Sequence, residues 1–190
     1  VLQRGRKEPA VDSVEKPGGV LVFHRDVPTQ VTIINRAHQG TSVHWHGIEL
    51  ESYSDGVAGW SGMKSSVAPM IAPKDSFVAH LTMPRAGTFI YHTHLNDIEQ
   101  LTSGMYGAAV VLEKDEKYDP STDHTFVVGW DGDSGKHFMV NGDTLPAPLE
   151  MKGGKTHRLR FVNIGPADRF LFAVRQDTTP VTWKPLAKDG

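Results

Sequence analysis

Two short motifs, each with a pair of histidines one residue apart, are the parts of this 190-residue sequence best suited to chemistry. The motifs are His44-Trp45-His46 and His92-Thr93-His94. Alternate side chains of a β-strand share one face and lie about 6.6 Å apart along the backbone, so each motif would direct two imidazoles to the same side of a strand. Two such strands side by side would bring four neutral nitrogen ligands to one metal ion, or to two ions about 3.5 to 4 Å apart.

The composition narrows the choice of metal and excludes several other functions. The sequence has no cysteine, which excludes disulfides, thiolate nucleophiles, thiolate zinc sites and iron–sulfur clusters. With imidazoles as the donors, ligand softness favours copper or zinc over magnesium or calcium. The 20 basic and 22 acidic residues give a net charge of -2, and no apolar run approaches the ~20 residues of a membrane span. We therefore predict no nucleic-acid partner and no membrane partner.

Acidic residues follow the first motif and are expected near its metal-facing side. They are Glu49, Glu51 and Asp55. A carboxylate beside a metal centre can orient an imidazole or relay protons. Solvated loop charge is the more common role of such groups, and Asp55 is the one that we select as a candidate proton relay.

Short runs rich in Val, Ile, Thr and Phe, separated by Gly and Pro, predict an all-β fold with many strands. Six strands are predicted at residues 20–24, 30–35, 42–48, 77–83, 87–92 and 108–113, and four more at 125–130, 158–163, 170–175 and 181–184. One helical turn is predicted at 96–101, because Asn96 and Asp97 can cap it. Residues 131–135 resemble a calcium loop, but they lack its terminal Glu and are predicted to form a hairpin turn.

A dense polar run with a proline, at residues 113–123, is typical of a linker between domains. We place a first domain at 1–117 and a second at 118–190. The second has about 70 residues where a β-sandwich usually has ~100, so we expect it to be incomplete. Its unpaired strand edges predict association with a further part of the chain, another chain or a second copy. The sequence opens without Met and without a leader, so we also expect its start to be truncated.

A weak internal repeat aligns two β-rich runs that end in Asn35 and Asn163. The same offset carries His44 and His46 onto Phe172 and Val174. The second domain is therefore predicted to resemble the first and to carry no metal ligands.

Three stretches, at 41–48, 86–94 and 104–108, together resemble the first cupredoxin domain of the multicopper oxidases, the laccase-like family. The likeness extends over about residues 20–113, and the residues around 140–142 and 158–163 resemble the start of the second domain of three-domain members. The resemblance implies a cupredoxin-like Greek-key β-sandwich, followed by a second, incomplete cupredoxin-like domain.

By this resemblance, His44 would be a type 2 copper ligand, and His46, His92 and His94 would be type 3 ligands, of a trinuclear copper cluster. Members of the family oxidise a phenol-like, amine or metal-ion donor and reduce dioxygen to water, and they are secreted or periplasmic. Electrons enter them through a type 1 copper bound by Cys, which is absent here. The family takes four more histidines from its last domain. We expect this chain to need that C-terminal cupredoxin domain, or another chain, and to be inactive alone.

Two other functions remain open at this point. One is a non-catalytic copper-binding module, in which the four histidines hold copper for storage, delivery or assembly. The other is a zinc-dependent hydrolase, because His-X-His on a strand also serves zinc–water chemistry. A hydrolase would need three histidines on one metal ion that keeps an open coordination position.

Overall fold

The structure is a computed structural model that describes residues 17–130, 137–165 and 169–188. Within these ranges the secondary structure is β-strand apart from one short α-helix and one 3₁₀ turn, which confirms the predicted all-β class. The first strands are β1 (Gly18–His24), β2 (Thr29–Ile34), β3 (His44–His46), β4 (Gly62–Met63), β5 (Ser66–Val67), β6 (Ser76–Leu81), β7 (Gly87–His92) and β8 (Tyr106–Leu112). They are followed by β9 (Asp123–Trp130), β10 (Phe138–Val140), β11 (Arg158–Asn163), β12 (Arg175–Gln176) and β13 (Thr179–Pro180). The helix α1 covers Asp97–Thr102, and the 3₁₀ turn covers Ser52–Asp55.

A four-stranded sheet in the order β1-β8-β7-β3 carries both histidine motifs. β1 runs parallel to β8, and the other neighbouring strands are antiparallel. Side chains alternate along β3, so Trp45 enters the core with 1% of its surface exposed while the flanking histidines lie on the other face. The pairing of β3 with β7 sets His44 opposite His92 and Trp45 opposite Tyr91. This register brings the two motifs together.

The antiparallel pair of β2 and β6 supplies further core side chains. β6 alternates exposed and buried residues, and its buried Phe77, Ala79 and Leu81 join the core cluster that contains Trp45. Phe23 of β1 meets the indole of Trp45 edge to face, with ring centroids 5.9 Å apart. Apolar burial of this kind contributes about 25 cal/mol per Å². It stabilises the sheet whose other face carries the histidines.

Residues beyond 122 add a three-stranded sheet in the order β10-β9-β11. Val127 and Val162 of this sheet pack in one apolar cluster with residues of β8. The buried Arg160 forms two hydrogen bonds of 2.7 Å to the carboxylate of Asp123 and donates another, of 2.8 Å, to Thr88 of β7. The hydrogen bond to Thr88 and the apolar cluster join the second sheet to the first, whereas the bonds to Asp123 link β11 to β9. The division into domains at 1–117 and 118–190 stays a prediction.

The predicted strands of the first sheet and its neighbours are present. All six have ends within two residues of those expected, and the strand expected at 42–48 is shortened at both ends to the three residues of β3. β3 stops at His46 because Gly47 takes a left-handed φ of 81°, which an extended strand does not allow. The helical turn expected at 96–101 forms as α1, one residue later. Asn96 precedes it, but its side chain hydrogen-bonds to Glu99 and does not cap the backbone.

The strands predicted at 170–175 and 181–184 are wrong. The structure has in their place the two-residue strands β12 and β13, which pair around a turn where Asp177 has a φ of 54°. No residue from 169 to 188 is fully buried, and Leu171 is 96% exposed, so no buried face fixes longer strands.

Two expectations from the sequence, the hairpin turn at 131–135 and the start of the chain, lie outside the described residues. Among the residues that are described, no helix is both long and apolar enough to cross a membrane.

Candidate metal centre

Four imidazoles meet at the end of the β3–β7 pair, where the two motifs were predicted to converge. The ring centroid of His44 lies 5.6 Å from that of His46, 5.3 Å from that of His92 and 5.4 Å from that of His94. The His46 and His92 centroids are 5.3 Å apart, and those of His92 and His94 are 6.0 Å apart. His92 is buried and His44 half-buried, whereas His46 and His94 are exposed. The cluster therefore has a protein side and a solvent side.

Two ring nitrogens in the cluster lie close to each other. Nδ1 of His46 lies 3.2 Å from Nε2 of His92, and ligand atoms of His44, His46 and His92 all lie within 4.8 Å of one another. Imidazole nitrogens bind zinc at about 2.0–2.1 Å, and a tetrahedral ion at that distance separates its ligands by about 3.3–3.4 Å. The separation of 3.2 Å therefore fits two nitrogens that share one ion.

Asp55 orients the His44 ring. Nδ1 of His44 lies 3.0 Å from a carboxylate oxygen of Asp55 and 3.2 Å from its backbone carbonyl. Burial by itself lowers the pKa of His44, but the hydrogen bond to Asp55 and its negative charge outweigh that effect, and the pKa is raised. Both acceptors favour a proton on Nδ1, so in the neutral ring the lone pair of His44 is on Nε2.

The rings of His46 and His92, which form a group of three with His44, are held neutral. Burial lowers the pKa of His92 to about 4, against an opposing effect of the Thr93 carbonyl, which accepts a hydrogen bond from Nδ1 of His92. Burial also lowers the pKa of His46, and positive charge on His44 or His94 would lower it further. Near pH 7 these rings therefore offer lone pairs to a cation.

The three acidic residues near the first motif have separate roles in the structure. The carboxylate of Glu49 accepts one bifurcated hydrogen bond from the Nε–H of Arg85. Glu51 accepts from the backbone amides of Tyr53 and Ser54 at the start of the 3₁₀ turn. Asp55 is the one of the three whose carboxylate reaches a clustered histidine.

A family model described as multicopper oxidase matches residues 11–116. The chain belongs to the multicopper oxidase family. The match ends four residues after β8, and it includes both histidine motifs and Asp55. The resemblance that the motifs suggested is thus confirmed.

Curated relatives match about half of the chain. Copper resistance protein A of Escherichia coli is 37% identical over 95 residues, which are 50% of this chain and 14% of that protein. A laccase of Ustilaginoidea virens is 34% identical over 105 residues, which are 54% of this chain and 15% of that protein. This chain thus spans about one seventh of the length of these relatives.

Solved structures of multicopper oxidases share the fold. One from Pseudomonas thermotolerans superposes with a TM-score of 0.66 and 25% identity, over 80% of this chain and 40% of that one. The blue copper oxidase of Nitrosomonas europaea gives a TM-score of 0.64 and 24% identity, over 80% of this chain and 52% of that one. The predicted cupredoxin-like class is confirmed.

The donor set fits the copper that a multicopper oxidase implies. Imidazole nitrogens suit Cu, Zn, Fe and Ni, and lone pairs on His46 and His92 converge at a separation that one ion can bridge. On the same grounds, the residues able to hold copper are His44, His46 and His92, with His94 adjacent to His44 and His92.

Polar residues behind the second motif were not singled out by the sequence analysis. They are Thr41, Ser42 and Gln100, and together with Thr93 they are all buried. The sequence gives little signal for Gln100, because a glutamine in a short helix is ordinarily solvated. Its importance depends on contacts with residues 60 positions away in the chain, which no local pattern reveals.

Four histidines outside the motifs form hydrogen bonds elsewhere in the structure. His24 hydrogen-bonds to the carbonyl of Glu116 at 2.9 Å, and His80 lies 3.3 Å from Gln30, away from the cluster. His124 and His157 stack on each other and share a hydrogen bond of 2.9 Å. None of these four touches the four-histidine cluster in the contacts described.

Proposed function

We propose that this chain supplies ligands of a trinuclear copper cluster in an enzyme that oxidises a small donor and reduces dioxygen to water. His44 would serve as the type 2 ligand, and His46, His92 and His94 as type 3 ligands. The donor would be a phenol-like compound, an amine or a metal ion. The observation that carries the proposal is the 3.2 Å approach of two ring nitrogens, on His46 and His92, within a group of four histidines of a multicopper oxidase chain.

Each residue contributes through a specific atom. His44 and His92 keep protons on Nδ1, because Asp55 and the Thr93 carbonyl accept there, and they offer Nε2 to the metal side. His46 offers Nδ1, the atom that faces His92. Bound copper would supply one-electron redox chemistry and a binding place for dioxygen. Asp55 and the Thr93 carbonyl favour these tautomers of His44 and His92 before the metal binds, which lowers the cost of organising these two ligands.

Asp55 is proposed as the proton relay of this centre. One carboxylate oxygen lies 3.0 Å from Nδ1 of His44, and the other lies 3.4 Å from the hydroxyl of Ser61. The carboxylate is 24% exposed, so it touches solvent while it holds the ring. A group in this position can take a proton from water and pass it towards an oxygen-reducing site.

The proposal requires further ligands and an electron entry site. Three metal ions with roughly three protein ligands each need more nitrogens than four histidines provide. The sequence has no Cys for a blue copper site. We therefore propose that a C-terminal cupredoxin domain or another chain completes the centre, that self-association is one way to provide it, and that the enzyme acts in the periplasm or outside the cell.

Copper retention by histidine variants tests the proposal. The full chain, His46→Ala, His92→Ala and His80→Ala would be loaded with equal amounts of Cu²⁺ and Zn²⁺, freed of excess metal and analysed for metal per chain. His80→Ala is the matched control, since this exposed histidine lies on β6 and contacts Gln30. We expect copper to be retained by the full chain and the control, and lost from the other two variants.

The same experiment separates the alternatives. Preferential retention of zinc would favour a hydrolase, for which the group of three histidines would form a site with an open position. Copper no higher in the full chain than in His46→Ala would contradict the proposal. Oxygen uptake with a phenolic donor, measured on the protein completed with its further histidines, distinguishes an oxidase from a non-catalytic copper-binding module.

A further inference from the structure

His94 lies where the sheet no longer controls side-chain position. The β3–β7 ladder begins at the His44–His92 pair, and β7 ends at His92. His94 is two residues further on and exposed, yet its ring lies 5.4 Å from that of His44. Some other set of contacts must hold this part of the chain against the first motif.

Gln100 of α1 is the centre of those contacts. Its Oε1 accepts hydrogen bonds from the hydroxyls of Thr93 at 2.6 Å and Thr41 at 2.8 Å. Its Nε2 donates to the carbonyl of Gly40 at 2.8 Å. One buried amide thus joins the residue between His92 and His94 to the segment that leads into β3.

Two other hydrogen bonds reinforce the same junction. The amide of His94 donates to the hydroxyl of Ser42 at 3.2 Å, and the amide of Thr93 donates to the carbonyl of Met105 at 3.0 Å. The amide of Met105 in turn donates to the backbone carbonyl of Gln100 at 3.0 Å. The backbone at Thr93 and His94 is therefore tied to the residues before β3 and, through Met105, to α1.

We propose that Gln100 is a positioning residue, which sets His94 relative to His44 and His92 and so fixes the place of the fourth imidazole of the metal centre. The inference rests on the proposed function, in which His94 is a copper ligand whose position matters. Hydrogen bonds specify direction and distance, whereas an apolar side chain of similar volume would fill the space without fixing the turn. His46 and His92, which the ladder and the core hold, do not depend on this amide.

The test compares two histidine contacts within one molecule. Metal-free full chain with isotope-labelled histidines would be measured by NMR for ring-to-ring nuclear Overhauser effects, His94 to His44 and His46 to His92. The variants are Gln100→Met, which keeps the length of the side chain and removes its polar atoms, and Gln39→Met as the matched control. Gln39 is exposed and donates to Glu99 of the same helix.

We expect Gln100→Met to reduce the His94–His44 effect at least twofold and to leave the His46–His92 effect unchanged, while Gln39→Met changes neither. Thr93→Val should act like Gln100→Met, and Thr93→Ser, which keeps the hydroxyl, should restore the contact. This second pair decides the matter if Gln100→Met does not fold. Both contacts at full strength in Gln100→Met, or in Thr93→Val, would overturn the proposal.

Copper affinity supplies a second readout. Measured against a competing chelator, Gln100→Met should bind Cu²⁺ about tenfold more weakly than the full chain, the range for residues behind metal ligands. The ring contacts are measured without metal, so the positioning role of Gln100 and the proposed copper function are tested independently. Gln100→Met could reduce the His94–His44 effect as expected while the full chain retains no copper. That result would contradict the proposed function and leave the positioning role of Gln100 standing.

Discussion

The two histidine motifs have the same spacing but are anchored in different ways. In the first, both histidines lie on β3 and the residue between them, Trp45, is 1% exposed in an apolar core. In the second, β7 ends at the first histidine. The residue between the two, Thr93, is fully buried, and its hydroxyl donates a hydrogen bond to Gln100. The intervening residue thus shows how each motif is held: packing holds one, and a polar network holds the other.

Trp45→Ala should give the largest effect, because it removes the packing anchor of the first motif. Replacing a buried Trp by Ala costs about 3–5 kcal/mol through lost apolar burial and the cavity that remains. We expect the free energy of unfolding in urea to fall by that amount and copper binding to weaken with it. Trp45→Phe, which keeps an aromatic ring, should lose much less. A Trp45→Ala chain as stable as the parent would break the comparison.

Thr93→Val should give the next largest effect, because it removes the hydrogen-bonding hydroxyl that anchors the second motif. A buried group left without its hydrogen-bond partner costs about 1–3 kcal/mol, and here Gln100 loses one of its two donors. Urea unfolding measures the loss. Thr102→Val is the control, since this threonine is only half-buried and its hydroxyl bonds only within α1 among the contacts described. Equal losses in both variants would show that the Thr93 network has no special weight.

Asp55→Asn sharpens the comparison within the first motif, because it separates ligand orientation from packing. An amide keeps the shape of the carboxylate and removes its charge, so the preference of His44 for a proton on Nδ1 weakens. We expect copper affinity to fall about tenfold and the urea midpoint to change little. In the completed enzyme, dioxygen reduction should slow. Unchanged turnover there would remove Asp55 as a proton relay.

Glu116→Gln should have the smallest effect on stability. Glu116 is not part of either motif. Burial alone would raise the pKa of Glu116, but the hydrogen bond from Arg158, 2.6 Å long, and a weaker one from the Glu113 backbone lower it. A carboxyl with a lowered pKa in the folded state stabilises it above about pH 5 and loses that contribution as the pH falls below about 4. The pair is partly exposed, so we expect at most about 1 kcal/mol. The parent and variant should therefore converge in stability at low pH, with equal copper affinity at pH 7.

The sequence predicted the parts of the molecule that depend on local patterns. Alternation and turn residues located the strands around both motifs, and the spacing of His44 and His46 placed them on one face. The strands expected at 170–175 and 181–184 did not form. A run of apolar residues becomes a strand only where it can pair with another strand and bury one face. Gln100 was missed for a related reason, since its partners lie far away in the chain.

X-ray absorption spectroscopy of the copper-loaded chain tests the central claim most directly. Coordination by the clustered imidazoles predicts nitrogen neighbours at about 2.0 Å, the outer-shell scattering of imidazole rings, no sulfur neighbour, and loss of this pattern in His46→Ala. Met63 and Met70 offer exposed thioethers that would bind copper in another way. A sulfur shell, or an imidazole pattern that persists in His46→Ala, would contradict the assignment of the metal centre to the two histidine motifs.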